Sequence, residues 1–176
     1  MKYDIKAHPT MYNGVQYRSR LEARWAAFFD LIGWKHEYEP IDLPGWSPDF
    51  LLKGCRHVLV EIKPVYQFPY DVALKIDSAS PEDRSPFECL IIGNAPFSNA
   101  GSTYIGWLRS MDDWSESPFM YIGSIDFCHC NQSFQGRMTG QYDGNWGDEE
   151  YAAAIVDRCW KQAGNIVQWI ARRQRR

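Results

Sequence analysis

The chain has no apolar run close to the about 20 residues that a membrane-spanning helix needs. Its opening, Met1-Lys2-Tyr3-Asp4, leads into polar residues instead of the apolar core of a secretory signal. Its five cysteines (Cys55, Cys89, Cys128, Cys130 and Cys159) are odd in number and follow no disulfide-framework spacing. Together these absences lead to the expectation of a reduced, cytoplasmic protein without a membrane partner. Basic charge is also lacking. Nineteen Lys and Arg face 22 Asp and Glu, for a net charge of −3, so a protein that coats nucleic acid through a broad cationic surface is disfavoured. No internal repeat, Gly-rich phosphate loop, Walker motif or nucleophile elbow occurs.

What remains is ordinary globular composition with unusually many rings. Hydrophobic residues make up 45%, charged residues 23% and aromatics 15%, including eight Trp. The 176 residues suffice for one domain with a substantial core, and one domain over 1–176 is expected.

Hydrophobic period sets the expected elements. Residues 1–17 form an arm or short hairpin turning at Asn13-Gly14. From Ser19 to Ile32 a helix is predicted, because Leu21, Trp25, Phe28, Phe29 and Ile32 recur on one face, and Gly33 closes it. Trp34–Glu39 reads as a strand stopped by Pro40, and 41–47 as a connection. Asp49–Leu52 and His57–Lys63 read as a hairpin around Gly54, ended by Pro64. A short helix over 71–79, a loop over Ser80–Pro86, and strands at Glu88–Gly93, Thr103–Leu108 and Phe119–Asp126 follow. Residues 132–147 read as a loop. A final helix is predicted from about Glu149 to Arg172, with Ala152, Ile155, Val156, Cys159, Ala163, Ile166, Val167 and Ile170 on its apolar face.

Chemistry concentrates in Ser47-Pro48-Asp49-Phe50 and Val58-Leu59-Val60-Glu61-Ile62-Lys63. Alternation along a strand points Glu61 and Lys63 the same way, with Val58, Val60 and Ile62 opposite. A three-residue loop at Gly54-Cys55-Arg56 brings Asp49 opposite Glu61; a two-residue loop puts it on the wrong face. Two carboxylates beside an ammonium make a hard-oxygen site for Mg²⁺. Exposed Glu-x-Lys pairs are common on solvated strands, but this strand is apolar on both sides of the pair, the mark of a covered central strand.

This pattern resembles the PD-(D/E)XK nuclease superfamily, whose signature is matched by Pro48-Asp49 and Glu61-Ile62-Lys63. Arg18-Ser19-Arg20-Leu21-Glu22-Ala23-Arg24-Trp25-Ala26, Tyr38-Glu39-Pro40 and Pro48-Asp49-Phe50 are similar to the phage-encoded and TnsA-type endonuclease branch. The resemblance covers about residues 12–95. It implies an α/β, restriction-endonuclease-like core with a mixed sheet flanked by helices, over about 15–110, with additional strands, loop and helix over 111–176. It implies a Mg²⁺- or Mn²⁺-dependent endonuclease acting on DNA, encoded by a phage or mobile element and working in a bacterial cytoplasm. Asp49, Glu61 and the Ile62 backbone carbonyl would hold the metal, Lys63 would orient the attacking water, and Glu22 would join them. The alternatives are a non-catalytic binding or inhibitor protein on this scaffold, and a dimeric branched-DNA resolvase. A second copy, or a recombination or packaging protein, is a further partner the resemblance admits.

Weaker signals have plain structural readings beside the functional ones. Ser19-x-x-Glu22 is also a capping box. Arg18, Arg20 and Arg24 are candidates for DNA phosphate contacts, or form ion pairs on a solvated face. The C-terminal Arg172–Arg176 stretch complements a helix end or touches DNA backbone. Cys128-His129-Cys130 lacks the second ligand pair that structural zinc needs, so zinc is not expected. Gln67-Phe68-Pro69-Tyr70 is a chance likeness to an exonuclease element, and His8, His36 and His57 are structural or surface residues.

Overall fold

The computed structural model describes residues 7–53, 57–79, 87–99, 102–109, 121–124, 126–130, 133–137 and 149–168. A hairpin comes first, β1 (Thr10–Tyr12) against β2 (Val15–Tyr17), with Tyr12 opposite Val15. Its turn, Asn13 at φ 47° and Gly14 at φ 80°, uses the left-handed backbone that a two-residue hairpin requires.

Helix α1 (Arg20–Leu31) follows, with Ser19 as N-cap and its side chain accepting the Glu22 N–H at 3.1 Å. At the other end the Gly33 N–H bonds to the Asp30 carbonyl and the Trp34 N–H to the Phe29 carbonyl. With Gly33 at φ 77° this is a Schellman ending. The expected stripe of Trp25, Phe28, Phe29 and Ile32 is buried, and so are Ala23, Ala26 and Ala27.

Strands β3 (His36–Tyr38), β4 (Phe50–Lys53), β5 (His57–Ile62), β6 (Phe87–Asn99), β7 (Ser102–Arg109) and β8 (Tyr121–Ser124) form one sheet in that order. Every pair is antiparallel except β5–β6, which is parallel. Helix α2 (Tyr70–Ala79) lies in the connection between those two strands. The sheet is therefore mixed and the class α/β, as expected.

Its two faces carry different cores. Phe50, Leu52, Val58, Val60, Ile62, Leu90 and Ile92 pack with α1 and with helix α3 (Glu149–Ile166). Leu59, Cys89, Ile91 and Trp107 pack with Ala73 and Ile76 of α2 and with Trp46. The β4–β5 register, Lys53 opposite His57 through Phe50 opposite Val60, leaves residues 54–56 between the strands. That is the three-residue spacing the sequence reading requires.

Several expectations need correction. Strand β6 does not stop at Gly93 but runs to Asn99, with a register shift between Ile92 and Phe97. Such an irregularity accommodates Pro96, which has no N–H for a ladder. Gly93 itself is demanded by close approach, since a Cβ there would lie 2.8 Å from the Val65 carbonyl oxygen.

The strand expected over Phe119–Asp126 divides into β8 and β9 (Asp126–Cys130). Strand β9 pairs with β10 (Ser133–Arg137), so part of the expected 132–147 loop is a strand. Helix α3 ends at Ile166 instead of Arg172. The Gln168 N–H bonds back only to the Asn165 carbonyl, an i→i−3 tightening at a helix end. Ile155, Val156, Cys159, Ala163 and Val167 are buried as expected, whereas Ile166 is exposed. The Ala152 side chain, Ile170, the Ser80–Pro86 loop and Arg172–Arg176 lie outside the described residues. Among the described residues no helix is long and apolar enough to cross a membrane.

Candidate active site

Three acids are buried, Glu22 on α1, Asp49 just before β4 and Glu61 on β5, at 8, 6 and 4% exposure. Asp49 stands one residue before β4. Its amide donates to the Val60 carbonyl at 2.8 Å, and its carbonyl accepts the Glu39 N–H at 2.9 Å. Backbone bonds thus tie this residue to β5 on one side and to the end of β3 on the other. The side chain is equally constrained. Oδ2 accepts the Ile62 N–H at 2.7 Å, and Oδ1 accepts from Arg18 Nη2 at 3.0 Å.

Glu61 lies on the α2 face of β5, alternating with Val60 and Ile62, which point to the α1 face. Its Oε1 is 2.5 Å from Lys63 Nζ. Its Oε2 accepts the Trp46 indole N–H at 2.8 Å. Lys63 is 36% exposed at its side chain, so the ammonium sits at the rim while its partner acid is inside. Ile62, the last residue of β5, commits its amide to Asp49 and its side chain to the larger core.

Glu22 is both a capping residue and a neighbour of the site. Oε1 accepts from the Ser19 hydroxyl at 2.6 Å, while Oε2 accepts the Tyr38 hydroxyl at 2.6 Å and the Arg18 N–H at 3.2 Å. The capping box therefore forms, in a version that reaches the Arg18 amide instead of the N-cap amide. Burial pushes Asp49 from its ordinary 3.8 to about 7, with Glu61 adding to the rise. The Ile62 N–H opposes that rise, Glu22 contributes to it, and Lys63 works against it. Burial together with the bond to Glu22 pushes the Tyr38 hydroxyl up to about 12.

The three arginines separate. Arg18 bridges Asp49 and Glu39, with Nε 2.8 Å from Glu39 Oε1, and its side chain is 56% exposed. Arg20 is exposed at the first turn of α1. Arg24, a candidate for either phosphate contact or ion pairing, instead packs against α3. Its guanidinium lies 3.8 Å from the centre of the Trp160 ring, and Nη2 donates to the Trp160 carbonyl at 2.9 Å. Gly164 makes room for it, because a Cβ there would come 2.9 Å from Nη2. Arg24 thus ties α1 to α3.

The Trp46 indole on Glu61 escaped sequence reasoning, whereas Arg18 was named there but not its pairing with Asp49. A large ring in a Pro/Gly-containing connection, just before Pro48-Asp49, was the available signal for Trp46. His36 is structural, its Nε2 3.1 Å from Asp30 Oδ1. Cys128, His129 and Cys130 lie on β9, and their side chains fall outside the described residues.

Among the described residues no three Asp, Glu, His or Cys groups converge tightly enough to form an ion cage by themselves. Mg²⁺ does not require one, since it takes one or two carboxylates and keeps its remaining waters. Asp49 and Glu61 suit such an ion in chemistry, being buried all-oxygen donors with the cations Arg18 and Lys63 beside them. Comparison with protein-family models, with curated proteins and with solved structures finds no match to this chain.

Proposed function

We propose that this chain is a divalent-metal-dependent endonuclease of the PD-(D/E)XK type, hydrolysing DNA phosphodiester bonds. The observation that carries the reading is the meeting of Asp49, Glu61 and Lys63 at one end of the β4–β5 pair. Exposed rim lysines and buried strand acids are each unremarkable alone. Two buried acids with an ammonium just past the end of β5 form a set whose desolvation costs stability, a cost that function explains.

Asp49, Glu61 and the Ile62 carbonyl would hold Mg²⁺ or Mn²⁺, with Glu22 behind Asp49. A bound divalent cation would lower the pKa of a coordinated water and neutralise charge on the attacked phosphate. Lys63, at the rim, would position the attacking water and offset negative charge developing on the phosphate. Arg18, half-exposed beside Asp49, would meet DNA backbone phosphate together with Arg20. Water attacking in line opposite O3′ would break the P–O3′ bond, the departing oxygen taking up a proton, and would leave a 5′-phosphate and a 3′-hydroxyl, as the resemblance implies.

One observation favours a second reading, a non-catalytic binding protein on this scaffold. Both oxygens of Asp49 and both of Glu61 already have partners within the chain. Cleavage of plasmid and branched DNA in Mg²⁺ or Mn²⁺ separates the two. The nuclease reading requires activity in the wild type that is lost in Glu61→Ala, in Lys63→Ala and in chelator. Absence of cleavage in either metal, with DNA or protein binding retained, favours the binding protein.

A further inference from the structure

We propose that Trp46 is a positioning residue for the Glu61 carboxylate, acting on metal binding through its indole N–H; this rests on the nuclease reading. Glu61 is held at both oxygens, Oε1 by Lys63 at 2.5 Å and Oε2 by Trp46 Nε1 at 2.8 Å. The two donors differ in kind. Lys63 is a cation on a flexible stem at the rim, free to turn toward a substrate phosphate. Trp46 is buried and fixed.

Its ring packs in the smaller core with Leu59, Ala73, Ile76 and Ile91. Its backbone is tied by reciprocal bonds between Leu43 and Trp46, at 2.9 and 3.1 Å, around a turn with Gly45 at φ 86°. When Lys63 moves to substrate, the indole is the donor that keeps Glu61 aimed. An indole N–H is neutral and only donates, so it supports the carboxylate without competing for its charge. Tyr38 does the same for Glu22, its hydroxyl 2.6 Å from Oε2. The β3–β4 connection between Tyr38 and Trp46 thereby acts as a second layer behind the acids. Donors in that position typically change metal affinity by roughly 10–100-fold.

A purely structural Trp46 would affect stability alone. The test is the Mn²⁺ concentration giving half-maximal plasmid cleavage, alongside Mn²⁺ affinity measured by calorimetry. Wild type is compared with Trp46→Phe and with protein carrying 3-benzothienylalanine at position 46, an isostere that lacks the N–H. Thermal unfolding establishes that each is folded, and the isostere keeps the test available should Trp46→Phe fail to fold. The proposal expects both Mn²⁺ midpoints to rise roughly 10–100-fold in the folded variants. An active wild type beside folded variants with midpoints within about twofold overturns the proposal alone. A wild type that neither binds Mn²⁺ nor cleaves overturns the nuclease reading and the proposal with it.

Discussion

The Asp49 carboxylate turns onto the neighbouring strand, where its Oδ2 accepts the Ile62 amide hydrogen at 2.7 Å. This bond places the acid beside Glu61 and away from water, and burial does more than any other factor to raise its pKa. The backbone amide favours the ionised form, but the neighbouring carboxylates and the loss of hydration outweigh it.

A pH dependence of stability follows. With the folded pKa raised from 3.8 to about 7, the folded state holds the Asp49 proton more tightly than the unfolded chain does. The resulting stabilisation is fully present below about pH 4 and is lost as pH rises through about 7. In chelator, wild-type stability minus that of Asp49→Asn should fall by roughly 2–4 kcal/mol from about pH 4 to pH 8. Urea unfolding at several pH values measures it. A flat difference would mean that Asp49 is not desolvated as the geometry requires.

Arg18 competes with any cation for Asp49 Oδ1, at 3.0 Å. Replacing it with Ala leaves Asp49 without its guanidinium partner. Mn²⁺ affinity measured by calorimetry should then rise several-fold, roughly three- to tenfold. A fall in affinity would show that Arg18 organises the site instead of occupying it.

The α1 cap depends on Glu22 more than on Ser19. Ser19→Ala removes the bond from the Glu22 N–H and the hydroxyl's own bond to Glu22 Oε1 and should cost about 1 kcal/mol. Glu22→Ala also strands the Tyr38 hydroxyl, which donates to it at 2.6 Å, and leaves the Arg18 amide only its bond to the Tyr38 oxygen at 3.0 Å, and should cost roughly 2–3 kcal/mol. Denaturant midpoints for the two variants rank them, and an equal or reversed order would contradict the bonding described.

Arg24 belongs to the α1–α3 contact. Arg24→Ala should destabilise by roughly 1.5–3 kcal/mol, from the lost ring contact and the bond to the Trp160 carbonyl. The salt dependence of DNA binding should not change. Arg20→Ala should do the reverse, leaving stability intact and lowering the salt slope by about one. Fluorescence anisotropy across a salt series distinguishes them.

Local chemistry made much of this fold legible in advance. Asn13-Gly14 demanded its turn, Ser19 and Gly33 bracketed α1, and a three-residue gap between Lys53 and His57 set the β4–β5 register. The α/β class was implied by the resemblance, and the parallel β5–β6 step across α2 is what makes the sheet mixed. Period alone could not tell which helix would lie on which, so Arg24 looked like a surface residue until Trp160 packed over it. The same limit hid Trp46, fifteen residues from Glu61 in sequence, and the Arg18–Asp49 pair, separated by thirty-one. The end of α3 was misplaced because its apolar period continues past Ile166 with no Gly or Pro to stop it.

Lys63 offers the most direct test of the central claim, because its loss leaves the acids Asp49 and Glu61 in place. Supercoiled plasmid nicking in Mn²⁺ is measured for wild type and Lys63→Ala, with Mn²⁺ affinity determined on the same samples. The account predicts that the wild type cleaves, and that the variant loses at least about 100-fold in rate while still binding Mn²⁺. Equal cleavage by both proteins would contradict it.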